Sequence, residues 1–433
     1  FTGGVTLTSG TLSINSAGVA GTSGPLGNGG AFIINGGTID NTSGAAVVVA
    51  NVNPITVGGN FFFSKSTGTS NNSLTLPGAV DLGGTTRTIT GAGGATLTLS
   101  GVISNGAISY SGGASSILSL TGTNTYTGGT TILGGQLSIN SINSIGGPGM
   151  PLTFNGTATL FPSNATYTGA SALGTITVAS GVVATIKPST GNSLQTPTLL
   201  GSGVLHWGNG NGNSTMTVDD VSAFTGALRV SGGSSSQPTL QVGNLTDTSS
   251  LGVGNLQFGV GNTTNSATIR LSTLSAPLTL NNRQVEILSG ATVSTAIISN
   301  NSTNSLTITQ DLINSRSGST SFQLDGTNTG ANTFSGVIGN GSGTISMIKS
   351  SSGTWVLTAA NTYTGSTTIS GGSLQLGNGG TTGALTATSG ISNSGALTIY
   401  RSNAFTQATD LNGKAITGTC LLYTSDAADD TPC

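Results

Sequence analysis

A single histidine, His206, stands beside Trp207 in the stretch GVLHWGNGNGN, and two adjacent carboxylates, Asp219 and Asp220, follow in MTVDDVSAF. Histidine is the usual base of a nucleophilic triad and a common zinc ligand, and one imidazole completes neither arrangement. A carboxylate pair can supply the acid and the base of glycoside cleavage. On an extended strand, however, neighbouring side chains project to opposite faces. Asp219 and Asp220 therefore share a site only where the chain bends or an adjacent segment lends a group. The sequence assigns His206 to packing beside Trp207 and the aspartates to a turn or edge. The Gly and Asn run at 208–213 lacks the aspartates of calcium-binding nonapeptides and the Lys and following helix of a phosphate-cradling loop. No residue is put forward as catalytic, cofactor-binding or metal-binding, and no cofactor is expected.

The elements that would have to position such groups are set by an unusual composition. Only 5% of the 433 residues are charged, against roughly 25% in an ordinary soluble domain. Mean hydropathy is +0.17 and the net charge is −2, whereas disorder usually accompanies low hydropathy and high net charge. The chain is expected to fold. Ten scattered Lys and Arg make no basic stripe for phosphates, so nucleic acid is not an expected partner. No apolar run reaches the ~18 residues of a membrane-spanning helix, and no membrane insertion of this segment is expected. The chain begins at Phe1 without an initiator Met or a charged-then-apolar leader, which reads as a fragment; a secretion signal, if one exists, lies outside it.

Self-similarity is the strongest internal feature. NTYTGGTTILGGQLSIN begins at Asn124 and NTYTGSTTISGGSLQLG begins at Asn361. SGVISNG at 100–106 precedes the first copy and SGVIGNG at 335–341 the second. Weaker copies begin at Phe1, inside the motif, and at Ala223, where Phe224 replaces the tyrosine. Within each copy apolar residues alternate with small polar ones, as at Val5 and Leu7, Leu12 and Ile14, or Leu137 and Ile139. Period two is the strand period, and Gly-Gly, Ser-Gly and Asn-Gly supply the turns between strands.

Short strands that bury one face each must stack on their successors. The expected fold is all-β, a right-handed parallel β-helix over residues 1–419 with negligible helix, in preference to tandem sandwiches, which need larger aromatic cores and linkers. Inward positions form Val, Ile and Leu ladders and outward ones carry Thr, Ser and Asn. At ~20 residues per coil the chain would make about twenty coils, a stalk on the order of 100 Å long at the spacing of paired strands. Tyr126 is expected to lie along the coil surface with its hydroxyl in solvent. Gly128 and Gly129 are expected to permit a sharp corner.

The motif NTYTGGTT followed by GGQLSI resembles the autotransporter-associated β-strand repeat, also called the passenger-associated transport repeat. The matching positions are Asn124, Thr125, Tyr126, Thr127, Gly128, Gly129, Thr130, Gly135 and Leu137, and then Asn361, Thr362, Tyr363, Thr364, Gly365, Thr367, Gly372 and Leu374. Ser366 departs from the pattern. The resemblance implies a non-catalytic, surface-exposed bacterial passenger, adhesive or structural, exported by an outer-membrane barrel outside this segment. It implies repeats that assist folding and translocation, and partners such as a host or matrix surface, a glycan or a neighbouring cell. The alternative is a secreted β-helical carbohydrate-active enzyme with Asp219 and Asp220 in its cleft. A weaker reading is ice binding by Thr-x-Thr rows such as Thr86 to Thr90.

Residues 420–433, CLLYTSDAADDTPC, break the composition: they hold both cysteines, Cys420 and Cys433, and three of the twelve acidic residues. The segment resembles the translation of a sequencing-library adapter and is expected to be a non-native, disordered tail. Residues 1–419 then contain no thiol, which suits export through an oxidising compartment.

Overall fold

Alternating apolar residues between glycine-rich corners leave each strand one option for its backbone groups, which is to pair with the equivalent strand of the next coil. The computed structural model adopts that arrangement. It describes residues 1–65, 72–163, 166–189, 191–208, 213–232, 237–247, 254–259, 266–290, 294–419 and 421–424. The chain divides into two compact units, Phe1–Val204 and Leu205–Cys433. Both are parallel β-solenoids.

In the first unit each coil has three sides, and equivalent residues meet in register from coil to coil. One side aligns Val5, Phe32, Ile55, Val80 and Ile103. A second aligns Tyr110, Ile132, Phe154 and Val178. The third aligns Leu74, Leu97, Leu118, Leu137, Leu160 and Ile186. Apart from Val5, these side chains are buried. Each Leu or Ile so placed contributes about 1.5–3 kcal/mol. Between them Thr75, Thr98, Ser119 and Ser138 form an outward row in the same register. A fragment of larger aromatic packing remains where Phe63 stacks on Tyr110 at 6.4 Å.

The second unit repeats the plan. Leu240, Ile269, Ile298 and Leu324 stack on one side, and Leu280, Ile308, Phe334, Leu357, Leu376 and Ile399 on another. The first of these ladders continues from Leu324 into Lys349, Ile369 and Asn393. Two polar groups thus occupy inward positions.

Two expectations are adjusted. Most coils are longer than ~20 residues: aligned partners stand as close as Thr354 and Ser373 and as far apart as Gly243 and Thr273. Corner loops absorb the difference, so among the described residues each unit makes eight coil-to-coil steps and the total falls short of twenty coils. Helix is negligible, as expected, the described α-helix being Gln407–Asp410 with short 3-10 turns at Ile142–Ile145 and Gly169–Ser171. The expected disorder after residue 419 meets a strand, Leu421–Thr424, paired in parallel with Ala396–Ile399. The exposed edge of a last coil offers unpaired N–H and C=O groups to whatever segment lies beside it, so this pairing carries no information about the segment's origin. Cys420 and residues 425–433 lie outside the described residues.

Candidate functional site: the repeat corner

The asparagine that opens each clear repeat is the connecting residue. Asn124 is buried; its Oδ1 accepts from the Ile103 N–H of the preceding coil at 2.7 Å, and its Nδ2 donates to the Ser144 carbonyl of the following coil at 2.6 Å. Asn361 is fully buried and repeats the pattern, accepting from Ile338 N–H at 2.9 Å and donating to the carbonyls of Ala359 and Ala384 at 3.1 and 3.2 Å. A carboxamide suits this place because it offers a donor and an acceptor without charge. Sequence reading missed a third example. Asn332 accepts from Leu306 N–H at 3.0 Å and donates to the Thr354 carbonyl at 2.9 Å, on a different side of the coil. Its signal was available in ANTFSG, which repeats the Asn-Thr-aromatic order.

The tyrosine two residues on corrects an expectation. Tyr126 and Tyr363 are interior, not surface, residues, at 0% and 1% exposure. The hydroxyl of Tyr126 is 2.7 Å from Thr130 Oγ1, and that of Tyr363 is 2.6 Å from Thr367 Oγ1. The motif threonine therefore closes the phenol's hydrogen bond inside the corner, and no solvent-facing tyrosine remains to bind a ligand there. Burial holds both phenols protonated well above the ordinary tyrosine range.

Glycines let the corner approach its neighbour. A Cβ on Gly128 would lie 2.5 Å from that of Ala107, and one on Gly365 would lie 2.4 Å from the Ile345 carbonyl oxygen. Both positions are closed to larger residues. The next position differs between the copies: Gly129 takes φ +78° and a Cβ on it would lie 2.9 Å from the Pro151 carbonyl oxygen, whereas Ser366 is not among the residues with positive φ, so the second copy turns differently there and tolerates serine. Gly135 and Gly372 are left-handed in both copies, at φ +78° and +61°. A polar group fills the space beside each. In the first copy it is the Tyr110 hydroxyl, in the second the Lys349 ammonium, 3.0 and 2.7 Å from where the respective glycine Cβ would stand.

Lys349 is buried and caps carbonyls of its own turn and of the next coil, Ser350, Ser351 and Gly371. Burial pushes its pKa down to about 8, against a smaller upward pull from Asp325. Burial raises the pKa of Asp325, and hydrogen bonds from Ser351, Ser350, Gly326 N–H and Ser299 more than offset it, leaving the carboxylate below its ordinary value.

The residues singled out for chemistry are not brought together. His206 is buried, with Nε2 2.7 Å from Ser231 Oγ; burial, aided by the charge of Arg229, lowers its pKa to about 3, so the imidazole is neutral at any physiological pH. Trp207 is fully buried beside it. Asp219 is exposed at the end of strand Thr215–Asp220, while Asp220 accepts from Ser222 N–H at 2.8 Å and closes a turn. Among the described residues no group of three His, Cys, Asp or Glu is placed to hold a metal. Of the Gly and Asn run, residues 209–212 lie outside the described residues. Thr86, Thr88 and Thr90 sit on strand Val80–Gly91 with exposed to half-buried side chains.

A parallel β-solenoid whose corners are tied by this Asn–Tyr–Thr–Gly arrangement defines the class, and sequence comparison agrees with it. The passenger-associated-transport-repeat family matches residues 115–139 and 347–376, the segments that contain the two corners. Over 65 residues the chain is 55% identical to the adhesin BmaC autotransporter of Brucella suis biovar 1 (strain 1330), a match covering 15% of this chain and 2% of that protein. The chain thus corresponds to a small piece of that relative's length. No solved structure matches it.

Two measurements check the corner. Asn361→Leu strands the Ile338 N–H and the Ala384 carbonyl and is expected to lower stability to urea by about 2–4 kcal/mol; Thr362→Ala, one residue on, should change little. Equal, small effects would remove the asparagine from its connecting role. For Lys349, the unfolded amine keeps its proton to about 10.5 and the folded one to about 8, so between these values the unfolded state binds more protons and stability rises with pH. Wild type should gain stability relative to Lys349→Met from pH 8 to 10.5, and a difference that stays flat over that window would contradict the assignment.

Proposed function

We propose that this chain is a non-catalytic segment of the passenger of a surface-exposed bacterial autotransporter-type adhesin. The observation that carries the reading is the recurrence of the same Asn–Tyr–Thr–Gly corner in two segments that match a passenger repeat. Contact with a partner falls to the outward rows, such as Thr75, Thr98, Ser119 and Ser138, whose hydroxyls are free to exchange water for a host or matrix surface, a glycan or a neighbouring cell. The exporting outer-membrane barrel belongs to another part of the protein. Among the described residues no helix is long and apolar enough to cross a membrane. Asp219 and Asp220 shape a strand end and its turn, which gives the carbohydrate-cleaving alternative no support.

The purified chain, immobilised on beads, is expected to retain cultured host cells or matrix glycans, and to release no reducing sugar from a polysaccharide panel. Glycan cleavage lost in Asp219→Asn/Asp220→Asn would replace this reading with the enzymatic one; absence of retention on every surface would leave adhesion unsupported. Residues 1–419 are the native solenoid in this proposal and residues 420–433 an adapter-derived addition. Long-read sequencing of the source DNA past the Thr419 codon is expected to show further repeat in place of CLLYTSDAADDTPC. A gene that encodes this tail would refute the division.

A further inference from the structure

Arg283 has 0% exposure in the second unit, and its guanidinium is directed at backbone carbonyls. Nε donates to Thr246 at 2.9 Å, Nη1 to Gly226 at 2.9 Å and to Gly254 at 2.6 Å, and Nη2 to Phe224. Asp247, next to Thr246, accepts from the N–H groups of Asn281 and Asn282 at 2.9 Å each, which holds the turn that carries the arginine. Strands Ala227–Ser231, Leu256–Phe258 and Val285–Ile287 pair in register through Leu228, Leu256 and Val285. Phe224 and Gly226, Gly254, and Arg283 itself therefore stand just ahead of equivalent strands in three successive coils. Arg283 touches the coil beneath it and, past that coil, the one beneath again.

The lowest of these corners is the degenerate repeat copy, SAFTG at 222–226. Ser222 stands where the asparagine belongs and Phe224 where the tyrosine belongs. A serine side chain is too short to reach both neighbouring coils, and phenylalanine has no hydroxyl to bond. The carbonyls of this corner are instead taken by a charged donor from two coils above. Charge-assisted bonds of this kind are stronger than neutral ones, and a planar fork with five N–H groups can serve several carbonyls at once.

We propose that Arg283 supplies the donor half of the tie that the missing motif asparagine would give the Phe224 corner and, by reaching past its neighbouring coil, locks three successive coils into one opening unit. Solenoid coils ordinarily touch only their neighbours and open in succession; this contact extends the coupling by one coil. The inference does not depend on the adhesive reading.

Hydrogen exchange read by mass spectrometry on the full chain in rising, sub-denaturing urea tests it. In wild type the amides of 227–231, 256–258 and 285–287 are expected to share one opening isotherm. In Arg283→Met, peptides over 222–230 should exchange about tenfold or more faster, from loss of charge-assisted bonds, and separate from 285–287, while peptides around Tyr363 keep their rates. Arg283→Lys, which retains the charge but not the fork, should separate them less. Three distinct isotherms in wild type overturn the proposal whether or not the variants fold. So does a uniform loss of protection across the second unit in a folded Arg283→Met or Arg283→Lys, which would mark the arginine as ordinary core.

Discussion

Every coil in this chain must satisfy its corner backbone groups against the coils above and below, and it must do so almost without charge. Strand pairing settles the flat sides. Corners are where the ladder of N–H and C=O groups is interrupted, and a buried, unpaired group there costs about 1–3 kcal/mol. A carboxamide facing both ways along the stack answers the problem, as Asn124, Asn361 and Asn332 do. Much of the rest follows from this constraint. Glycines bring the corner within reach of its neighbour, the tyrosine hydroxyl is closed on a threonine of its own coil, and serine and threonine can dominate the outside because no ion pairs are needed to hold the sides together.

The two clear copies show that the demand is geometric rather than tied to one residue. Beside the left-handed glycine of the corner, one copy places a tyrosine hydroxyl and the other a lysine ammonium. At the degenerate corner an arginine from two coils away takes the carbonyls. These solutions differ in their sensitivity to the medium. The asparagine has no proton to lose near neutrality, the phenols hold theirs, and the lysine is the group whose charge changes near physiological pH.

Much of the fold was legible because strand period and turn chemistry are local. Leu137 and Ile139 with Ser138 between them announce an inward and an outward face, and Gly135 announces a turn. The register then follows, since a slip of one residue would expose each ladder. The corner was less legible. An aromatic with a polar tip among Thr and Gly, such as Tyr126, reads as a surface residue; its partner, Thr130, becomes visible only when the chain is folded back on itself. Coil length is not legible in the sequence because corner loops have no period of their own.

Arg283 marks the limit of local reading. Its acceptors at Phe224 and Gly226 lie nearly sixty residues away, and nothing in NNRQVEI distinguishes it from a solvated arginine on a turn. In a chain with ten Lys and Arg among 433 residues, however, a cation is costly to bury and is retained inside only where carbonyls or carboxylates surround it. Scarcity of charge thus turns each buried cation into a structural marker. Lys349 stands beside the left-handed glycine of the second clear repeat, in the place the Tyr110 hydroxyl takes in the first, and Arg283 holds the carbonyls of the degenerate corner. The repeat motif and the buried cations are two chemical answers to the same break in the backbone ladder.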